Sequence, residues 1–78
     1  MMSKEKIQSA ISRSLENYFN NLGDGVPRNL YEIYSDIMEE PLLRAVMLRA
    51  KGNQSHAAEM LGINRNTLRK KLLHHNLL

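Results

Sequence analysis

The 78-residue sequence contains no cysteine, and this absence removes several kinds of structure and chemistry. Disulfide bonds, thiolate nucleophiles and zinc sites built on thiolate ligands are all excluded. Nitrogen ligands for a metal could come only from three histidines, two of them adjacent near the C-terminus, so no metal site is expected. The lack of cysteine also suits a reducing compartment.

Long apolar runs and phosphate-binding loops are absent as well. Residues 1–7 offer no apolar run for a signal peptide, and no stretch approaches the length of a membrane span, so we expect a soluble cytoplasmic protein. No glycine-rich loop or nucleophile is recognisable, and His56 with Glu59 is more typical of a surface pair than of an acid–base couple. The sequence therefore predicts no enzyme and no cofactor.

Charge is unevenly distributed along the chain. Residues 1–40 contain four Lys/Arg and seven Asp/Glu, a net charge of −3, whereas residues 41–78 contain seven Lys/Arg and one acid, a net charge of +6. This asymmetry indicates that the C-terminal half faces a polyanion and that the N-terminal half serves assembly. A chain this short buries a modest fraction of its surface, so a partner chain is the expected source of further stability.

Apolar periodicity predicts an all-α chain. Apolar residues at three- and four-residue spacing from Ile7 to Leu22 define the first helix, which Ser3 can cap. Asn29 is the expected N-cap of the second helix, which we expect to be kinked at Pro41 and not broken, because no turn-forming residues surround the proline. The predicted helices cover residues 4–22, 30–50, 54–61 and 65–74.

The first two helices carry more apolar surface than one chain can cover. Before Pro41 the acidic residues, Glu39 among them, are expected to face water, whereas residues 42–48 leave almost no polar side. A helix that is apolar all round must be surrounded, which two intertwined chains would achieve. We therefore predict a homodimer in which residues 1–52 dimerise, residues 53–78 face the polyanion, and all form one compact domain. The predicted dimer core consists of Ile11, Leu15, Phe19, Ile33, Ile37, Leu42 and Val46.

Residues 54–73 are typical of a helix-turn-helix. Gly62 can take the left-handed conformation that ends a helix, and Asn64 can then act as the N-cap of the next one. The residues that two steeply crossing helices would bury are Ala57, Ala58, Leu61, Ile63, Leu68 and Leu72. The opposite face of the second short helix carries polar and positively charged residues, and it is therefore available to a partner.

The cations at residues 69–71 have two interpretations. Near a helix C-terminus they can complement the helix dipole and keep the surface soluble. That interpretation leaves Asn64 and Arg65 at the start of the same helix unexplained. In a major groove the N-terminal end of a recognition helix reaches the base edges, and Asn and Arg match adenine and guanine. The combination favours DNA binding.

The segment at residues 52–72, GNQSHAAEMLGINRNTLRKKL, closely resembles the C-terminal helix-turn-helix of the Fis family of bacterial nucleoid-associated proteins. The resemblance extends upstream through LENYF and LYEIYSDIMEEPLL, and so covers most of the chain. It implies a four-helix protomer in an intertwined dimer that binds loosely defined sites with AT-rich centres and bends them. Family members organise the nucleoid, regulate transcription and assist some recombinases, so double-stranded DNA is the implied partner.

The resemblance also implies roles for individual residues. Asn64 and Arg65 would contact bases, and His74, where lysine is common in relatives, would add a phosphate contact when protonated. The residues implied to contact phosphate and sugar are Asn53, Gln54, Ser55, Thr67, Arg69, Lys70 and Lys71.

The resemblance to the Fis family also bears on two protein partners. The turn containing Lys51, Gly52 and Gln54 matches the family region implicated in contacting the RNA polymerase alpha subunit, although it could equally be a connecting loop. The chain begins almost at its first helix, without the N-terminal arm with which longer family members contact recombinases. This start argues against a recombinase partner.

Two other functions fit parts of the pattern. The helix-turn-helix is also similar to the C-terminal output domain of NtrC-type enhancer-binding regulators, but the Met1 start favours a free-standing protein. A purely structural dimerisation module would use the basic helix only as a solubilising face. Salt-dependent DNA binding would distinguish this module from a DNA-binding protein.

Overall fold

The computed structural model describes residues 3–78, which contain four α-helices and no β-strand. The helices are α1 (Lys4–Leu22), α2 (Leu30–Arg49), α3 (Gln54–Leu61) and α4 (Arg65–His74). The predicted all-α class is confirmed, and the predicted bounds agree except that α2 ends at Arg49 and not at residue 50. Among residues 3–78, no helix combines the length and the apolar content needed to cross a membrane.

The chain divides into two compact units, one ending at Leu30 and the other comprising Tyr31–Leu78. The first unit contains α1, which is capped as predicted: the Ser3 hydroxyl accepts a hydrogen bond from the backbone N–H of Lys6 at 3.3 Å. None of the α1 side chains is buried, and Phe19 is 46% exposed. Ile7, Ile11 and Phe19 of the predicted apolar stripe are thus exposed, and Leu15, Tyr18 and Leu22 are half-buried.

Helix α2 runs without a break through Pro41, which confirms that the proline does not divide the element. The predicted N-cap role of Asn29 is wrong. Its backbone has φ 57°, in the left-handed region, whereas the N-caps of the other three helices are extended. Asparagine tolerates this conformation, so Asn29 turns the chain into α2 instead of capping it.

The core of the second unit lies where α3, α4 and the C-terminal part of α2 meet. Ala57 and Ala58 are small, and this lets α3 and α4 approach closely. Leu68 and Leu72 are fully buried, and each contributes about 1.5–3 kcal/mol through burial. The buried cluster consists of Leu43, Ala50, Ala57, Ala58, Leu68 and Leu72, with Val46, Met47, Leu61, Ile63 and Leu77 packed against it. Residues of α2 thus form part of the helix-turn-helix core.

Candidate nucleic-acid interface

The α3–α4 turn has the geometry that its sequence predicts. Gly62 has φ 73° and ψ 29°, and its N–H donates to the carbonyl of Glu59 at 3.1 Å. The N–H of Ile63 donates back to the carbonyl of Ala58 at 3.0 Å, so two of the free carbonyls at the end of α3 are satisfied. The side-chain oxygen of Asn64 then accepts from the N–H of Asn66 at 2.7 Å and starts α4. These hydrogen bonds fix the direction in which α4 leaves the turn.

The solvent-facing side of α4 is polar and positively charged. At about 100° per residue, Asn66 and Lys70 lie opposite the buried Leu68, and both are exposed. Arg69 is exposed beside this face, and Arg65 is exposed in the first turn of α4. Within residues 3–78, no salt bridge engages Arg65, Arg69 or Lys70. These three cations are therefore available to an anionic partner.

Asn64 is exposed, but the cap restricts what its side chain can contact. Its Oδ1 atom is already bonded to the backbone N–H of Asn66. A bidentate match to adenine needs this oxygen to accept and the amide nitrogen to donate. While it caps α4, Asn64 has both amide N–H groups free to donate to an acceptor on a base or a phosphate, whereas one lone pair of its Oδ1 atom is already used.

The start of α3 presents a second polar group of side chains. Asn53 caps this helix by accepting from the N–H of His56 at 3.0 Å, and Ser55 is exposed. Gln54 is half-buried, and its Oε1 atom is buried with no hydrogen-bond partner among the described residues. The free N–H groups of a helix N-terminus attract anions, so this end suits a phosphate. Thr67, which is also implied to contact phosphate and sugar, is exposed on α4.

The structure brings Lys71 and His74 towards α2, where they meet carboxylates. The ammonium nitrogen of Lys71 lies 2.7 Å from Oε2 of Glu39, and Nε2 of His74 lies 3.1 Å from Oδ2 of Asp36. The expectation that Glu39 faces water is wrong, because its side chain is only 18% exposed and also contacts Nε2 of His75 at 2.9 Å. Lys71 and His74, which the family resemblance implies contact phosphate, are thus already paired with acids of the same chain.

Glu39 is held in its ionised form by these partners. The hydrogen bond from Lys71 is the main cause of its lowered pKa, and the hydrogen bond from His75 acts in the same direction. Partial burial opposes both effects. The ion pair therefore stabilises the packing of α4 on α2 when the carboxylate is charged.

Sequence reasoning missed two residues of this region. Helical periodicity predicts Asn66 on the outward face of α4, where it is exposed, but Asn66 is not among the predicted DNA contacts. His75 has a side chain only 6% exposed, against Glu39. No local pattern predicts that contact, because the two residues are 36 positions apart.

The comparisons with known proteins agree with this architecture. The sequence family described as "Bacterial regulatory protein, Fis family" matches residues 36–74, from the middle of α2 to the end of α4. A Fis-like DNA-binding protein of Ralstonia nicotianae is 49% identical over 77 residues, which cover 99% of this chain and 100% of that protein. DNA-binding protein Fis of Proteus vulgaris is 42% identical over 71 residues, covering 91% of this chain and 76% of that protein.

A further relative has the same character. A Fis-like DNA-binding protein of Neisseria meningitidis serogroup A is 49% identical over 72 residues, covering 92% of this chain and 91% of that protein. The matches therefore extend well beyond the helix-turn-helix and include α1 and the whole of α2. The chain belongs to the Fis family of bacterial regulatory proteins.

Proposed function

We propose that this protein is a DNA-binding transcriptional regulator that acts as a homodimer, bends its sites and associates with the bacterial nucleoid. The observation that carries the proposal is the exposed surface of α4, where Arg65, Arg69 and Lys70 have no acidic partner within residues 3–78. Membership of the Fis family supports the same function, since the relatives described above are DNA-binding proteins.

Within this proposal the polar residues divide into two groups. Arg65 reads a base edge from the N-terminal end of α4, joined by Asn64 through its amide N–H groups and by Asn66. The residues that hold phosphate and sugar are Asn53, Gln54, Ser55, Thr67, Arg69 and Lys70. Lys71 and His74 already contact Glu39 and Asp36, so we assign them a smaller share of the affinity.

The dimer accounts for apolar side chains that the single chain leaves open. Ile11 and Phe19 of α1 are 41% and 46% exposed, and Ile37 of α2 is 57% exposed. A second copy of the chain would cover these side chains and would place two α4 helices on one duplex. If these helices are closer together than one DNA turn of about 34 Å, the duplex must bend at an elastic cost of about 1–6 kcal/mol. Deformable, AT-rich centres would then be preferred without any base contact there.

The salt dependence of DNA affinity tests the proposal. Each phosphate contact lowers the slope of log K against log salt concentration by about 0.9. If Arg69 and Lys70 of both chains bind phosphate, the slope should be about −4 or steeper. A control with Arg44→Ala should keep that slope, because Arg44 lies on α2 and pairs with Glu40 at 2.9 Å. A protein that did not bind a duplex even at low salt would be a dimerisation module, and the proposal would be wrong.

The turn between α2 and α3 is proposed to contact the RNA polymerase alpha subunit. Lys51 is exposed and has φ 55°, a conformation that costs a non-glycine residue about 1–2 kcal/mol and that tends to occur at functional sites. Gly52 follows with φ 80°. Lys51→Ala should lower transcription activation and leave DNA affinity unchanged. Unchanged activation by this variant would remove the polymerase from the list of partners.

A further inference from the structure

The contact between the end of α4 and the middle of α2 contains a cluster of ligand-type side chains, which we call the α2–α4 cluster. It consists of Asp36, Glu39, Lys71, His74 and His75. Nε2 of His74 lies 3.2 and 3.1 Å from the two carboxylate oxygens of Asp36, and Nε2 of His75 lies 4.0 Å from Oδ1 of the same carboxylate. One carboxylate thus faces two imidazole nitrogens.

The local backbone explains why two adjacent histidines can face the same carboxylate. Neighbouring side chains on a helix point about 100° apart and do not meet. Helix α4 ends at His74, however, and His75 takes φ −94° and ψ 6° as the C-cap. The two imidazole rings lie with centroids 4.8 Å apart and planes at 80°.

We propose that Asp36, His74 and His75 form a binding site for a divalent transition-metal ion of the zinc type. One ligand atom from each of these residues lies within 4.8 Å of the others. Tetrahedral zinc binds imidazole nitrogen and carboxylate oxygen at about 2.0–2.2 Å, which places its ligand atoms about 3.3 Å apart. The three side chains need to contract by less than 2 Å, and water can supply the fourth ligand.

The chemistry of the cluster favours zinc over the hard divalent cations. Magnesium and calcium take oxygen ligands almost exclusively, whereas two imidazoles and a carboxylate suit zinc and its neighbours in the transition series. The two carboxylates of Asp36 and Glu39 face the single ammonium group of Lys71 in this cluster, which favours a cation. Glu39 contacts Nζ of Lys71 and Nε2 of His75 at once, so an ion bound through Nε2 of His75 would replace the proton that this nitrogen shares with Glu39.

The site is open to solvent on one side and anchored on the other. A groove of about 370 Å³ is lined by Asp36 and His74, among other residues of α2 and α4, so an ion can enter. The side chain of His75 is 6% exposed and is fixed by packing. An ion bound there would link the C-terminal end of α4 to α2 and would stabilise the folded state. This inference does not depend on whether α4 binds DNA.

Isothermal titration of the metal-free full-length protein with Zn²⁺ tests the site, with Mg²⁺ as the control ion. We expect one Zn²⁺ per chain, an increase in the midpoint of thermal unfolding, and no response to Mg²⁺. His74→Ala and Asp36→Asn should each weaken Zn²⁺ binding by about tenfold or more. His56→Ala is the matched control, because His56 is an exposed histidine on α3 outside the cluster, and it should bind Zn²⁺ as the unaltered protein does.

A second measurement identifies the ligands directly. Co²⁺ in place of Zn²⁺ should give visible ligand-field absorption of a low-symmetry site with nitrogen ligands, and this absorption should be lost in His74→Ala. Circular dichroism in the absence of metal should show that the variants keep their helices. The proposal is overturned by a lack of Zn²⁺ binding, by equal binding in His74→Ala and Asp36→Asn, or by loss of binding in His56→Ala.

Discussion

Arg65 and Lys70 are both exposed cations of α4, but they should affect DNA binding in different ways. Arg65 stands at the N-terminal end, where a recognition helix approaches base edges, so Arg65→Ala should cost about 1–3 kcal/mol and relax the preference at one base pair. Lys70→Ala should weaken binding to all sequences alike. It should also make the salt slope shallower by about 2, one unit for each chain of the dimer.

Titrations of specific and random duplexes at several salt concentrations separate the two effects. The matched comparison is between these two variants, since each removes one positive charge from the same helix. If both lost affinity equally on specific and random DNA, the division into base-reading and phosphate-binding residues would be wrong.

Ionisation of Glu39 should make the free energy of unfolding depend on pH. Its pKa is lowered in the folded state by Lys71, so the ion pair contributes its full stability above the ordinary carboxyl pKa. That contribution is lost as the pH falls through the lowered value. Glu39→Gln should therefore destabilise the protein by about 1–3 kcal/mol at pH 7, and the difference should shrink below about pH 4.

Urea unfolding in EDTA at one fixed protein concentration measures this difference. Glu40→Gln is the control, because the Glu40–Arg44 pair is exposed on both sides and should contribute less than about 1 kcal/mol. A deficit of Glu39→Gln that stayed constant down to pH 3 would show that packing, and not the charge, is responsible.

Residue roles could be predicted where their cause is local. The caps at Ser3 and Asn64 depend on side chains that reach two or three positions along the chain, and both are confirmed. The pairing of Lys71 with Glu39 spans 32 positions and depends on how α4 packs against α2. Periodicity places Glu39 on a polar face but cannot identify what covers that face.

At the scale of single elements, the α3–α4 turn depends on one backbone conformation. A Cβ atom on Gly62 would meet nothing within 4 Å, so the cost of Gly62→Ala should come only from the left-handed backbone conformation, with φ 73°. This substitution should cost about 1–2 kcal/mol. Gly62→Asn should cost less, because asparagine tolerates the left-handed region. Equal losses in thermal unfolding for both variants would show that the turn is limited by something other than backbone conformation.

Helix bounds could be predicted closely because each helix carries an apolar pattern or its own end signal. Gly62 and Asn64 mark one boundary, and the three- and four-residue spacing from Ile7 to Leu22 marks α1. The start of α2 was predicted at the correct residue for the wrong reason, since Asn29 has a positive φ. The packing of α2 on the helix-turn-helix was not foreseen, because Leu43 and Ala50 look like the rest of an apolar run.

At the scale of the whole molecule, the predicted dimer core is left incompletely covered in the single chain. Leu42 is 43% exposed, so a monomer should tolerate Leu42→Asp with little loss of stability. In a shared core the same change would bury an unpaired carboxylate and cost about 3–5 kcal/mol, which should abolish the folded dimer. Far-UV circular dichroism with sedimentation equilibrium distinguishes these results.

The control for this substitution is Leu48→Asp. Leu48 lies on the same helix, is 82% exposed and is outside the predicted dimer core, so this variant should remain folded and dimeric. A Leu42→Asp protein with the same stability and the same oligomeric state as the unaltered protein would contradict the dimer.

The number of chains bound to one DNA site tests the proposed DNA binding and the proposed dimer together. The most direct measurement is sedimentation of a labelled duplex with increasing amounts of the protein. Our account predicts a complex that contains two chains, adding twice the chain mass of 9.0 kDa to one duplex. A saturated complex that contained a single chain, or a duplex that sedimented unchanged at low salt, would contradict it.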